Sequence, residues 1–245
     1  MAIEKLAILD VGNTLVKGHY IWKFAQYLKD EGHFNPRFFD EMEKALGNYS
    51  RICPCAREDF HYMELASDSV NFFGNGIKGE KKDVIEEMGR ECVRIHSDKK
   101  LPFTNKLTKY LNDKGFLTLA ISLAPMDVIS PFCEDVDIQG AIATTYKTGN
   151  GFYTGEVDET YAGYRKLDAV VNFLKEHGLS EDVMKNSAGF GDSINDDFLF
   201  LVRYPFALYP SCRLKTRAGV ARWDILEGYA DFDVTEKVKE RLEKK

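Results

Sequence analysis

AILDVGNTLV, residues 7–16, carries the apolar Ala7, Ile8 and Leu9, which follow Leu6, into Asp10, turns through Gly12, Asn13 and Thr14, and becomes apolar again at Leu15. An unbroken apolar run of this length, with no polar alternation, reads as a strand buried on both faces. The strand covers LAIL, residues 6–9, and delivers a carboxylate at its end. In open parallel sheets, ligands bind beyond the carboxyl ends of the strands. The same arrangement recurs twice. FLTLAIS (116–122) ends on Ser122, and SAGFGD (187–192) ends on Asp192. One fold-level rule therefore brings Asp10, Ser122 and Asp192 to one cleft.

Strands and helices alternate over the second half of the chain. Thr104 to Asp113 is expected to form a helix stopped by Gly115, ahead of the 116–122 strand. AIATTY and GFYTGEV flank Lys147-Thr148-Gly149-Asn150, a hairpin signal. KLDAVVNFLKEHG has Leu167, Val170, Val171 and Leu174 at helical spacing and Gly178 as a stop. PFALYP (205–210) is a further strand, and VTEKVKERLEKK a charged terminal helix. Residues 20 to about 97 read instead as helix throughout. One helix is expected to stop at Gly32, and one to be capped by Asn35-Pro36 and run toward Gly47. A third is expected from Pro54 to near Gly74, and a fourth from about Lys81. A block of this length exceeds any ordinary crossover loop. The reading is an α/β protein with a Rossmann-like parallel sheet core (1–16 and 99–245) and an inserted helical cap domain (17–98).

The bulk composition fits an ordinary globular protein: 245 residues, 44% hydrophobic, 29% charged. A net charge of −6 argues against a nucleic acid partner, which favours a basic face. No apolar stretch approaches the ~18 residues that span a bilayer, so no membrane partner is expected. The first ten residues lack the layout of a signal peptide, and five cysteines, an odd count, suit a reducing compartment. The expectation is a cytoplasmic protein. Cys53-Pro54-Cys55, with His61, Cys92 and His96, lacks the tight paired spacing of a zinc site and is read as thiols on helices. No sequence feature sets an oligomeric state.

Taken singly, the polar residues have bland readings. Asp10 before Gly-Asn suits a turn, Lys166 at a helix start suits solvent, and Asp192 or Asp196 suits a helix cap. Their order along the chain is more informative: Asp, then Ser, then Lys, then Gly-Asp-x-x-x-Asp. In this order the sequence resembles the haloacid dehalogenase-like (HAD) superfamily, and within it the phosphoserine phosphatase-like branch. LDVGNTLV is similar to the first motif, AISLAP to the second, YRKLDAV to the third and GFGDSINDDFLF to the fourth. The hairpin TTYKTGNGFYTGEV and the ending PFALYPSCRLKTRAGVARWDIL are also typical of that branch. The likeness spans residues 5–18 and about 101–228. The insert matches in position and helical character only.

The resemblance implies roles. Asp10 would attack phosphorus and form an aspartyl-phosphate. Magnesium would be held by the Asp10 side chain, the Gly12 main-chain carbonyl and Asp192. Asp196 would orient the metal's waters, with Asn13 and Asn195 as neighbouring orienting groups. Ser122 would hydrogen-bond a phosphoryl oxygen, and Lys166 would offset charge on Asp10 and the transferring group. The substrate implied is a small phosphorylated molecule. Arg51 and Arg57, flanking the Cys-Pro-Cys turn, are the first candidates for contacts from the insert to the substrate.

The chain departs from the family pattern at Gly12. Family phosphatases carry there a second aspartate that acts as general acid and base. Losing such a group costs ~10²–10⁴ in rate. Four readings stand: a substrate with a good leaving group; a proton from the insert, with His19, His61 and Glu58 as candidates; phosphonatase- or dehalogenase-type chemistry; or phosphate binding without turnover. Keeping both Asp192 and Asp196 favours metal and phosphoryl transfer over dehalogenation. A backbone reason for glycine would be a positive φ at residue 12.

Overall fold

A computed structural model describes residues 3–52, 59–161, 165–227 and 233–244. Its strands are β1 (Leu6–Asp10), β2 (Leu117–Pro125), β3 (Gly140–Gly149), β4 (Phe152–Glu159), β5 (Ala188–Gly191), β6 (Tyr204–Leu208) and β7 (Asp224–Leu226). They form one sheet of order β4-β3-β2-β1-β5-β6-β7. All neighbours pair in parallel except β3 and β4, the hairpin. The chain builds outward from β1 to β4 and then returns to build from β5 to β7. The boundary between β1 and β5 is the point where the winding reverses, and such a point opens a crevice.

Between β1 and β2 lie α1 (Tyr20–Asp30), α2 (Pro36–Arg51), α3 (Asp59–Gly76), α4 (Lys82–Ile95) and α5 (Thr104–Asp113). Then come α6 (Met126–Asp135) after β2, α7 (Arg165–Glu176) after β4, α8 (Cys212–Ala221) after β6 and α9 (Val234–Glu243). The side-chain alternation of β1 divides the core. Leu6 and Ile8 face a cluster with Val170 and Leu174 of α7 and Leu214 of α8. Ala7 and Leu9 face the larger cluster on the other side of the sheet. That cluster runs without a break through Ile129 and Phe132 of α6 to Phe24 and Leu28 of α1, Phe73 of α3 and Ile85 of α4. The helical insert thus buries its apolar side against the sheet layer itself.

Several elements differ from expectation. The Asn35 side chain does cap α2, accepting from the Arg37 N–H at 3.1 Å, but α2 runs past Gly47 to Arg51. Favourable propensity around a single glycine, whose cost is about 1 kcal/mol, carries the helix through. The hairpin turns at Asn150-Gly151, both at positive φ, two residues later than the expected turn. β2 extends to Pro125, with a register shift after Ile121, so Ser122 sits just beyond the regular pairing. The sequence reading assigns no helix to residues 126–135; the structure has α6 there, with Pro131 inside it.

Pro131 shapes the docking of the insert. In a regular helix the N–H of residue 131 would bond the carbonyl of Asp127; proline has none to offer. That carbonyl faces α4, where a Cβ on Gly89 would stand 1.9 Å from its oxygen. Only glycine allows α4 to approach so closely. The Tyr146 hydroxyl also reaches across, donating to the Val70 carbonyl at 3.0 Å. Gly89→Ala is therefore expected to push α4 off α6 and cost about 1–3 kcal/mol. Urea unfolding of wild type and variant measures this; equal midpoints would disprove the close approach.

Candidate active site

Asp10 is the last residue of β1, and Asp192 follows the last residue of its neighbour β5. They meet Asp196, from the turn after β5, so that one ligand oxygen from each lies within 4.8 Å of the others. Lys166, in the first turn of α7, reaches into this group. Its Nζ donates to Asp10 Oδ1 at 2.6 Å and to Asp196 Oδ1 at 2.7 Å. The second oxygen of Asp10 accepts from the Thr14 hydroxyl at 2.8 Å. Both Asp10 oxygens are thereby held, and the carboxylate is 6% exposed at the floor of the cleft.

Asp196 organises the loop that carries Asp192. Its Oδ2 accepts from the N–H groups of Asp192 and Ser193, at 3.0 and 2.9 Å. A Cβ on Gly191 would lie 2.5 Å from that oxygen, which explains the glycine of the Gly-Asp pair. Asp197 Oδ1 accepts from the Leu167 N–H at 2.8 Å, satisfying an open donor at the start of α7 and fixing the turn that presents Lys166. Ser122 is 6% exposed, and its hydroxyl accepts from the Ala124 N–H at 3.2 Å, which leaves its proton to donate.

One ammonium stands against three carboxylates. Burial, opposed by Lys166, pushes the Asp10 carboxyl up to about 6. Burial, then Asp10 and Asp196, raise Asp192 well above the usual carboxylate range. Burial pulls the Lys166 ammonium down, but Asp10 and Asp196 outweigh it and hold it above its ordinary value. The cluster lacks positive charge, and a bound cation reverses that imbalance. The donors are all oxygens, which suits a hard ion such as magnesium. Asn195 Oδ1, buried in the cleft wall, has no hydrogen-bond partner among the described residues and fits a metal-bound water. Among the described residues no other group of three or more His, Cys, Asp or Glu side chains is placed to hold a metal. Cys53 and Cys55 lie outside the described residues.

The cluster opens on a cavity of about 460 Å³. Asp10, Gly12, Asn13, Ser122, Lys166, Asp192 and Asn195 all line it, so the structure gathers these sequence candidates in one place. Asp196 lies beneath them, 1% exposed. Arg51 does not reach the cavity. It is exposed at the end of α2, whose described contributions to the wall are Leu46 and Tyr49, earlier on the helix. Arg57 and Glu58 fall outside the described residues, and His61 is not on the wall. Trp22, Tyr49 and Tyr62 are, as is Arg213 at the start of α8.

Gly12 does not take a positive φ; Asn13 does, at 57°. The reason for glycine is space. A Cβ on residue 12 would stand 2.5 Å from Nδ1 of His19. Burial, with the nearby Lys166 and Lys23 charges, lowers His19 to about 4. The sequence reading missed Thr14, Asp197 and the aromatic wall. Thr14, in the opening motif four residues after Asp10, carried a usable signal; the others act through tertiary placement.

No protein-family model and no curated protein matches the sequence. Solved structures do match in fold. A substrate-bound phosphoserine phosphatase is 16% identical, with 98% of this chain and 99% of that one covered at a TM-score of 0.65. The chain shares the fold of that structure. A protein of unknown function from Bordetella pertussis Tohama I shares this fold at 19% identity, with 92% and 99% covered and a TM-score of 0.73. A cytosolic 5′-nucleotidase IIIB bound to cytidine shares it at 14% identity, with 98% and 85% covered and a TM-score of 0.69. With at least 92% of this chain covered in each case, the likeness takes in helical insert as well as sheet.

Proposed function

We propose that this chain is a magnesium-dependent hydrolase of small phosphate monoesters, working through an aspartyl-phosphate on Asp10. The carrying observation is the buried Asp10, held on one oxygen by Lys166 and on the other by Thr14, beside Asp192 and Asp196. The 1–16 and 99–245 segments supply the chemistry, and 17–98 caps it. Asp10, the Gly12 carbonyl and Asp192 would hold the metal, with Asn13, Asn195 and Asp196 around them. Bound magnesium would neutralise phosphoryl charge so that an anionic nucleophile can approach. Asp10 then attacks phosphorus, Lys166 offsets the charge on both, and Ser122 donates to a phosphoryl oxygen. The aromatic wall from α1, α2 and α3 excludes water during the first step.

The test is phosphate release from p-nitrophenyl phosphate, with magnesium and with EDTA. Turnover that disappears in EDTA and returns with magnesium is expected. Gly12 gives one specific reason for a second reading, phosphate binding without turnover. Saturable magnesium and phosphate binding with no release from any monoester would select that reading.

A further inference from the structure

The imidazole of His19 fills the volume that any side chain on residue 12 would enter. Its tautomer is set by its neighbours. The Gly18 N–H donates to Asn13 Oδ1 at 2.9 Å, which fixes the Asn13 amide with Nδ2 toward the ring. Nδ2 lies 3.1 Å from His19 Nε2. Nε2 therefore accepts, and the single proton of the neutral ring sits on Nδ1. Nδ1 has no hydrogen-bond partner among the described residues, and His19 lines the cavity with Asp10 and Lys166. With Asp10 attacking phosphorus from the sheet side, the leaving oxygen lies opposite, toward the insert, where His19 stands at the N-terminus of α1.

We propose that His19 is a further catalytic residue, a hydrogen-bond donor whose Nδ1–H binds the leaving oxygen in place of a side chain at residue 12. This rests on the phosphoryl-transfer reading above. The Asp10–phosphorus bond forms and the ester P–O bond breaks. The electron pair stays on the leaving oxygen, which departs as an anion held by Nδ1–H and takes its proton from water. His19 keeps its own proton throughout. Such a site serves phosphate compounds whose leaving group is a stable anion, namely aryl and enol monoesters or acyl phosphates, and is slow on alkyl phosphates. The aromatic wall of Trp22, Tyr49 and Tyr62 suits a flat, conjugated leaving group.

The test has two parts, one independent of turnover. Nitrogen-15 imidazole NMR of the full chain, with the His19 signal assigned by loss in His19→Ala, is expected to show Nδ1 protonated and Nε2 bare at neutral pH. The opposite tautomer or a doubly protonated ring overturns the proposal. Thermal unfolding should show Gly12→Asp strongly destabilised and the Gly12→Asp/His19→Ala double variant recovered, because the two side chains compete for one space. An unperturbed Gly12→Asp overturns that exclusion.

Kinetics then use a series of substituted phenyl phosphates plus glycerol 2-phosphate, with magnesium. His19→Ala is expected to lose about 10²-fold, the usual effect of removing one transition-state donor. The loss should grow as the leaving group worsens, steepening the dependence on leaving-group pKa. The double variant should gain alkyl phosphate turnover and flatten it. An unchanged slope in His19→Ala, or a change found instead in Tyr62→Phe, removes His19 from the leaving oxygen. Asp10→Asn retaining activity would instead sink the parent reading and leave the NMR and unfolding results standing.

Discussion

Asp10→Asn is expected to abolish phosphate release, by a factor on the order of 10⁴ or more, while the protein stays folded. An amide is a poor nucleophile toward phosphorus, and neither neighbouring carboxylate, Asp192 nor Asp196, is placed to take over. Asp196 is 1% exposed and lies beneath the cavity rather than on its wall, where Asp10 is. Asp192 emerges from β5 rather than β1. Survival of the fold follows from the same contacts. Lys166 keeps its 2.7 Å bond to Asp196, so its charge is not orphaned. The amide oxygen can accept from Lys166, and the amide NH2 can donate to the Thr14 hydroxyl oxygen. Nitrophenolate leaves without a proton, so p-nitrophenyl phosphate isolates the nucleophile from any question about residue 12. Activity within tenfold of wild type would rule Asp10 out.

Lys166→Met is expected to fail twice, in activity and in stability. The side chain bridges two carboxylates that are 6% and 1% exposed. Removing one partner from a buried ionic group typically costs about 3–5 kcal/mol, because the charges left behind have neither water nor a counter-ion. In a chain of this size that is a fall in Tm of roughly 10 °C. Magnesium should rescue the stability in part, since a ligand that binds only the folded state contributes about 2.7 kcal/mol at a hundred times its Kd. The shift with magnesium should be larger in Lys166→Met than in wild type, because more uncompensated charge awaits the ion. Lys166→Arg, which keeps the charge, should melt closer to wild type. A Lys166→Met variant that melts with the wild type, with or without magnesium, would show that the bridge carries no weight.

Sequence and structure divide the account along physical lines. The apolar run ending on Asp10 identifies a buried strand, because no other local structure tolerates four consecutive apolar residues ahead of a carboxylate and a turn so well. The spacing of Asp192 and Asp196 within one turn is likewise local. So are the Asn35 cap and the helix stops at Gly32, Gly115 and Gly178, each at positive φ. All of these are set by chain geometry over a few residues, which periodicity and glycine placement report directly. α6 was illegible because Pro131 opposes a helix locally, and the packing of α4 on the freed Asp127 carbonyl is a contact between distant segments. Arg51 looked suited to the cleft from its position beside a turn. Which way the last turn of α2 faces depends on the register of α2 against its neighbours, which pattern alone does not hold.

Gly12 states the division most sharply. The sequence by itself determined that residue 12 brings no acid and no base, since a hydrogen atom has no chemistry to offer. It also made glycine look like a backbone requirement. Only the tertiary structure decided otherwise: the strained φ belongs to Asn13, and the space belongs to His19, seven residues on. The turn from β1 into α1 folds the ring back against residue 12. Excluded volume between two side-chain positions is a property of the folded chain, so the sequence held both residues in view without the relation between them.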